Sequence, residues 1–119
     1  WINKVRSNLT PILIDNLIFT VSNDGYFYVI DKSQGNILRI NYFYKNYNIK
    51  KRKLIKSTGF SLSQNMLYVS NNNGKLIVLE LNTGNVVKEF KISGDTLSKP
   101  FIYNNNLFVI KNGSVVQYE

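Results

Sequence analysis

The chain has 119 residues, a net charge of +8 from fifteen basic and seven acidic side chains, and neither cysteine nor histidine. That length supports a hydrophobic core of ordinary domain size. The missing thiols and imidazoles exclude disulfides, Cys or Ser–His nucleophile pairs and the usual zinc ligands, and no apolar run approaches the ~20 residues of a membrane-spanning helix.

Residues 1–5, Trp1-Ile2-Asn3-Lys4-Val5, read as a stray outer strand, a fourth strand with no blade of its own. From Thr10 the pattern becomes regular. Strands are expected near 11–14, 17–22, 26–31 and 37–43, and together residues 10–43 form one unit. Asp24-Gly25 supplies the positive φ that a tight hairpin requires between the second and third strands. The third strand ends in an acid, and Asp31-x-x-x-Gly35 leads into the fourth.

Residues 44–56 interrupt the regularity. Six of the fifteen basic residues fall here: Lys45, Lys50, Lys51, Arg52, Lys53 and Lys56. An exposed, solvated loop is the plain reading. Lys50, Lys51, Arg52 and Lys53 are nonetheless the candidate contacts for a partner or an anion, such as a phosphate group or an anionic lipid. Tyr42, Phe43, Tyr44 and Tyr47 precede the stretch, and aromatics beside basic residues are also a feature of nucleic-acid readers. The expectation is weak, salt-sensitive attraction to polyanions and no specific nucleic-acid partner.

A second unit occupies 57–92, with strands near 60–63, 66–70, 75–81 and 86–92. A third occupies 97–119, with strands near 100–103, 107–111 and 114–118 and no fourth strand. The units align residue by residue. Leu17-Ile18-Phe19 matches Met66-Leu67-Tyr68 and Asn106-Leu107-Phe108, at intervals of 49 and 40 residues from Phe19 to Tyr68 to Phe108. Ser22-Asn23-Asp24-Gly25 matches Asn71-Asn72-Asn73-Gly74, shortened in the third copy to Lys111-Asn112-Gly113. The longer first interval reflects the basic insertion, and insertions on a repeat scaffold map to loops on one face.

Four short strands repeated at this period are the signature of β-propeller blades. Leu76-Ile77-Val78-Leu79 is apolar at consecutive positions, as a strand buried on both faces requires. The fourth strands carry Arg39, Lys88 and Glu89, as suits an outer, solvated edge. Helical periodicity is missing throughout, so helix content should be close to nil. The fold class is all-β: a partial propeller of about three four-stranded antiparallel blades.

Asp24, Asp31, Glu80 and Glu119 invite a reading as paired carboxylates or a calcium site. Asp31, Glu80 and Glu119 recur at one repeat position, however, which marks turn capping or amide pairing and not a singular catalytic constellation. Gly25, Gly35, Gly74, Gly84 and Gly113 fall in hairpins with no helix behind them to receive an anion. No catalytic residue, cofactor ligand or metal ligand is assigned.

The run Asn16-Leu17-Ile18-Phe19 through Ser22-Asn23-Asp24-Gly25-Tyr26-Phe27-Tyr28-Val29-Ile30-Asp31 to Gly35-Asn36-Ile37 resembles the PQQ-like, or quinoprotein-like, propeller repeat. Leu67-Tyr68-Val69-Ser70, Asn82-Thr83-Gly84, Ser98-Lys99-Pro100 and the segment from Leu107 to Val115 are similar, more specifically, to the C-terminal blades of the BamB-type outer-membrane assembly lipoproteins. Two departures stand out. That repeat typically has Trp four residues after the glycine of its last turn, where this chain has Arg39 and Lys88. Quinone-dependent enzymes of the fold use stacked Trp residues, a Cys pair and a calcium site, whereas this chain has one Trp and no Cys.

The resemblance implies a non-enzymatic, protein-binding scaffold of outer-membrane β-barrel assembly. It implies a periplasmic location at the outer membrane, protein partners from the assembly machinery, and membrane contact only through a lipid anchor upstream of this chain. The alternative is a PQQ-like propeller serving as a ligand-binding or sensor module of a larger protein. Three blades are too few for a closed ring. The expectation is therefore that missing blades or further copies of the chain complete it, with 1–5 of one copy pairing antiparallel with 114–118 of the next.

Overall fold

A computed structural model describes residues 9–92, 96–103, 106–111 and 114–118. Among these, eleven strands and one short helix follow in chain order: β1 (Ile12–Ile14), β2 (Leu17–Val21), β3 (Tyr26–Asp31), β4 (Ile37–Tyr42), α1 (Ile49–Leu54), β5 (Ser57–Ser63), β6 (Met66–Asn71), β7 (Lys75–Glu80), β8 (Val86–Lys91), β9 (Phe101–Tyr103), β10 (Asn106–Lys111) and β11 (Ser114–Tyr118). They form three antiparallel meanders, β1-β2-β3-β4, β5-β6-β7-β8 and β9-β10-β11. The strand at 1–5, the turn at Asn112-Gly113 and the carboxylate of Glu119 lie outside the described residues.

The turns explain why the repeat looks as it does. Asp15-Asn16 and Gln64-Asn65 make two-residue hairpins, and Asp15, Gln64 and Asn65 sit at positive φ of 52°, 48° and 63°. That is the twist-matched geometry of such hairpins. The third-to-fourth strand turns are equally uniform. Gly35 N–H donates to Asp31 O and Gly84 N–H to Glu80 O, each at 2.7 Å, with both glycines near φ +74° (73° and 74°). Each of these turns follows a register shift, at Val29/Ile30 and at Val78/Leu79.

The core lies between the sheets. Phe19, Val21, Phe27 and Val29 of the first blade pack against Phe60, Leu67, Val69, Ile77 and Leu79 of the second. Burying these side chains contributes roughly 1.5–3 kcal/mol apiece before chain entropy is subtracted. All four residues of Leu76-Ile77-Val78-Leu79 are buried, because β7 has a blade on either side. A second cluster, Leu76, Leu97 and Leu107 with Tyr68, Phe90, Ile92 and Ile102 around it, joins the second blade to the third. There Gly59 lies so close to Lys99 that a Cβ would come within 2.5 Å of its backbone, and Thr58 Oγ1 donates to Leu97 O at 2.6 Å.

Two expectations are corrected. Residues 49–54 are helical, not loop. Asn48 caps the helix by accepting from Lys51 N–H at 2.9 Å, and the run Ile49-Lys50-Lys51-Arg52-Lys53-Leu54 consists mostly of good helix formers with its cations near the C-terminal end. Arg39 is not a solvated edge charge either. It is half-buried in the seam between the first and second blades, where its guanidinium donates to carbonyls of Leu81 and Asn82 in the turn between β7 and β8.

Candidate functional site

The segment from Phe43 to Lys56 crosses from the outer strand of one blade to the inner strand of the next, so it lies on the same end of the sheets as the turns at 22–25 and 71–74. Backbone bonds fix it there: Phe43 N–H donates to Gly25 O, Ser57 N–H to Asn23 O and Asn72 N–H to Lys56 O, all at 2.9 Å. Side chains reinforce it. Asn72 Nδ2 donates to Leu54 O at 3.1 Å, and Lys56 N–H donates to Asn72 Oδ1 at 2.9 Å.

Tyr44 is the anchor of this crossing. Its ring covers Gly25, where an added Cβ would lie 2.3 Å from Cδ2. Its hydroxyl donates to Oδ1 of the buried Asn71, and Ser57 Oγ lies 2.8 Å from the phenol oxygen. Asn71 in turn donates to Val69 O at 3.1 Å and Lys75 O at 3.0 Å, so every polar atom of its side chain is satisfied. Burial pushes the Tyr44 phenol well above the ordinary tyrosine value, opposed in part by the Ser57 hydrogen bond. Tyr47 is shifted the same way by burial and then by Glu89, whose carboxylate accepts from its hydroxyl.

The four candidate residues are separated by the structure. Lys50, Lys51 and Lys53 are exposed. Arg52 turns inward: Nε donates to Tyr47 O at 2.7 Å, a terminal amine donates to Lys45 O, and the guanidinium lies 5.7 Å from the Tyr42 ring. It holds the crossing together and is not available as a surface cation. Sequence reasoning also missed Lys75 and Lys91, which stand with Lys51, Tyr47, Leu54 and Asn73 around a notch of about 380 Å³. Lys75 pairs with Glu89 at 3.2 Å and lies over the Tyr47 ring at 5.3 Å. Strand pairing brings them together, since Lys75 and Lys91 are register partners at the end of β7 and β8.

The opposite end of the seam holds a cleft of about 790 Å³, lined by Ile14, Leu17, Leu38, Arg39, Leu62 and Leu81 among others. Arg39 spends its guanidinium on the carbonyls of Leu81 and Asn82 and lies 5.6 Å from the Phe27 ring. Burial lowers its pKa from the ordinary guanidinium value. Its Nε finds no acceptor.

Among the described residues Asp31 and Asp24 serve separate turns. Asp31 accepts from Ser33 N–H at 2.9 Å and Asn16 Nδ2 at 2.7 Å, and Asp24 accepts from Ser22 Oγ at 2.6 Å, so both brace their own turns. Among the described residues no three of His, Cys, Asp and Glu come together as a metal site would need.

Meanders of this order, packed face to face with bulged last turns and inter-blade seams, define consecutive blades of a β-propeller. The family described as "Outer membrane protein assembly factor BamB" matches residues 48–119, from the N-cap of α1 onward, and the chain belongs to that family. The outer membrane protein assembly factor BamB of Salmonella typhimurium is 22% identical over 102 residues, which cover 85% of this chain and 26% of the relative's length. The crystal structure of BamB from Moraxella catarrhalis superposes with a TM-score of 0.72 at 17% identity, over 96% of this chain and 32% of that one. A quinohemoprotein alcohol dehydrogenase from Pseudomonas putida superposes with a TM-score of 0.73 at 16% identity, over 98% of this chain and 20% of the enzyme. Likenesses at such identities define the fold alone, and the chain spans about a quarter of the relatives' length.

Proposed function

We propose that this chain is part of a non-enzymatic, protein-binding scaffold that serves outer-membrane β-barrel assembly from the periplasmic face of the outer membrane. The observation that carries this reading is the family match over residues 48–119, which includes α1 and both later blades. Two features of the chain support it. Of the candidate acids, Asp31, Glu80 and Glu119 recur at one blade position, and Asp31 braces its turn through Ser33 and Asn16. The best-defined surface features are loops and strand ends on a rigid sheet scaffold, where recognition concentrates. The binding role tests directly: the intact gene product, tagged and crosslinked in its own host, should capture β-barrel assembly components at the outer membrane. Recovery in the cytosol, or without any such component, overturns the proposal. Pyrroloquinoline quinone with calcium should give no alcohol oxidation, and turnover would make the protein an enzyme.

The apolar cleft beside Arg39 favours a second reading, a ligand-binding module. Its volume of about 790 Å³ falls within the range of small-molecule sites. A ligand that raises the unfolding temperature, with the effect abolished by Leu38→Asp, would favour that reading over the scaffold.

A further inference from the structure

α1 combines charge and apolar exposure in a way that neither a solvated loop nor a core helix requires. Ile49 is 68% exposed and Leu54 75%, the two largest values among the exposed large hydrophobic side chains of the described residues. They stand at the two ends of the helix with Lys50, Lys51 and Lys53 between them. Ile49 and Lys53 are four residues apart, as are Lys50 and Leu54, so each apolar side chain shares its face with a cation. The helix contributes no buried residue, so this exposure is not repaid in the core.

The charge extends beyond the helix. No acid occurs between Asp31 and Glu80, an interval that holds Lys32, Arg39, Lys45, Lys50, Lys51, Arg52, Lys53, Lys56 and Lys75. Folding adds Lys91 to this group by bringing it to the notch with Lys51 and Lys75. Glu89 and Asp24 also sit at this end, but the Glu89 carboxylate takes the Lys75 ammonium and the Tyr47 hydroxyl, and Asp24 accepts from Ser22 Oγ within its own turn. Lys50, Lys51 and Lys53 have no ion pair among the described residues.

We propose that α1 and the notch beneath it dock on a membrane surface rich in anionic phospholipid. Ile49 and Leu54 enter the boundary between headgroups and acyl chains, and Lys50, Lys51, Lys53 and Lys91 meet the headgroup phosphates. One apolar contact or one basic cluster binds a membrane only marginally, and the two together give a usable anchor. The competing polyanion, nucleic acid, needs aromatic faces free for bases to stack on. The aromatics here are spent inward: Tyr44 is buried on Gly25, Tyr42 lies against Arg52, and the Tyr47 hydroxyl is held by Glu89. Membrane contact would then come from this chain's own surface as well as from any anchor upstream of it. The proposal goes beyond the scaffold function and does not depend on it, since vesicle binding is measured with no protein partner present.

The intact chain is titrated with phosphatidylcholine vesicles containing about a third phosphatidylglycerol, and with vesicles of phosphatidylcholine alone. Binding is expected only to the first, weakening as salt is raised. The variant K50Q/K51Q/K53Q should lose about fivefold in partition coefficient per lysine removed. Ile49→Ser with Leu54→Ser should lose at least tenfold while leaving binding to DNA unchanged. Lys88→Gln, an exposed outer-strand position, should bind like the native chain. The urea midpoint of each variant establishes that it is folded, and Leu54→Ser alone serves if the double variant is not. Equal binding to both vesicles overturns the proposal. So does a serine variant that binds as tightly as the native chain, which would leave only a polyanion patch. Displacement by inorganic phosphate at concentrations too low to screen would also overturn it, assigning the notch to a free anion.

Discussion

The Tyr44 hydroxyl donates to Oδ1 of Asn71 across the seam between the first two blades, and both side chains are fully buried. Tyr44 belongs to the crossing segment, whereas Asn71 closes β6 and starts the next turn. The bond therefore ties the chain that leaves one blade to the turn that begins the other. Tyr44→Phe keeps the ring on Gly25 but strands Asn71 Oδ1 in a site that water does not reach. The expected loss is about 1–3 kcal/mol of folding stability. Asn71→Ala should cost more, since it also removes the bonds to Val69 O and Lys75 O, and the double variant should cost less than the two singles together, because both break the same bond. Urea unfolding of the three variants checks this. Strict additivity would mean that the two residues act independently.

Gly25 and Gly59 separate two ways in which a missing side chain matters. Gly25 sits at φ +99° and beneath the Tyr44 ring, so Gly25→Ala incurs both backbone strain and overlap. A loss well above ~1 kcal/mol is expected. Gly59 has no unusual φ, and its Cβ would meet the backbone of Lys99. Gly59→Ala should therefore act by prising the second blade from the third. Hydrogen exchange should quicken along β9 and β10 before it does along β2 and β3. Uniform loss of protection would contradict that order.

The strands were legible because each rests on local chemistry: hairpin residues that accept positive φ, and apolar runs bounded by them. Leu76–Leu79 announced its burial on both faces by having no polar alternate. What escaped is what depends on partners far away in sequence. The helix start at Asn48 went unread, although a capping residue followed by Ile-Lys-Lys-Arg-Lys-Leu is a helix-start signal. Arg39 looked like an edge charge, because its acceptors, Leu81 O and Asn82 O, lie in the turn of the next blade. Lys75 and Lys91 escaped for the same reason: strand pairing, not sequence proximity, brings them to Lys51. Arg52 is the converse case, counted with its neighbours by composition and then withdrawn by its bonds to Tyr47 and Lys45.

Alkaline pH should loosen the crossing segment first. Burial raises the Tyr44 and Tyr47 pKa values in the folded state, and Glu89 raises Tyr47 further. In the unfolded chain both phenols ionise near ~10. Above that pH the folded state holds more protons than the unfolded, so stability falls as pH rises. The contribution is fully present below the unfolded value and is lost as pH climbs toward the folded ones. Urea midpoints measured from neutral pH to beyond the ordinary tyrosine value should decline over the upper part of that range. Tyr44→Phe and Tyr47→Phe should each flatten the decline, and an unchanged slope in both would assign it to other groups.

Arg39 stands where the repeat usually carries Trp, and its contacts show what that position does: it reaches over Phe27 and grips the last turn of the next blade through Leu81 O and Asn82 O. The grip has a cost, since a cation is partly desolvated and Nε is left without an acceptor. Arg39→Ala removes both carbonyl contacts and is expected to lose about 1.5–3 kcal/mol. Arg39→Lys keeps the charge but not the fork that serves two carbonyls at once, so it should recover only part of that loss. Arg39→Trp restores a flat group over Phe27 with one N–H for a carbonyl and no buried cation. It should match the native chain at low salt and at high salt alike. Thermal unfolding of the three variants ranks them, and Trp falling below Lys would show that the seam depends on the positive charge and not on a planar group.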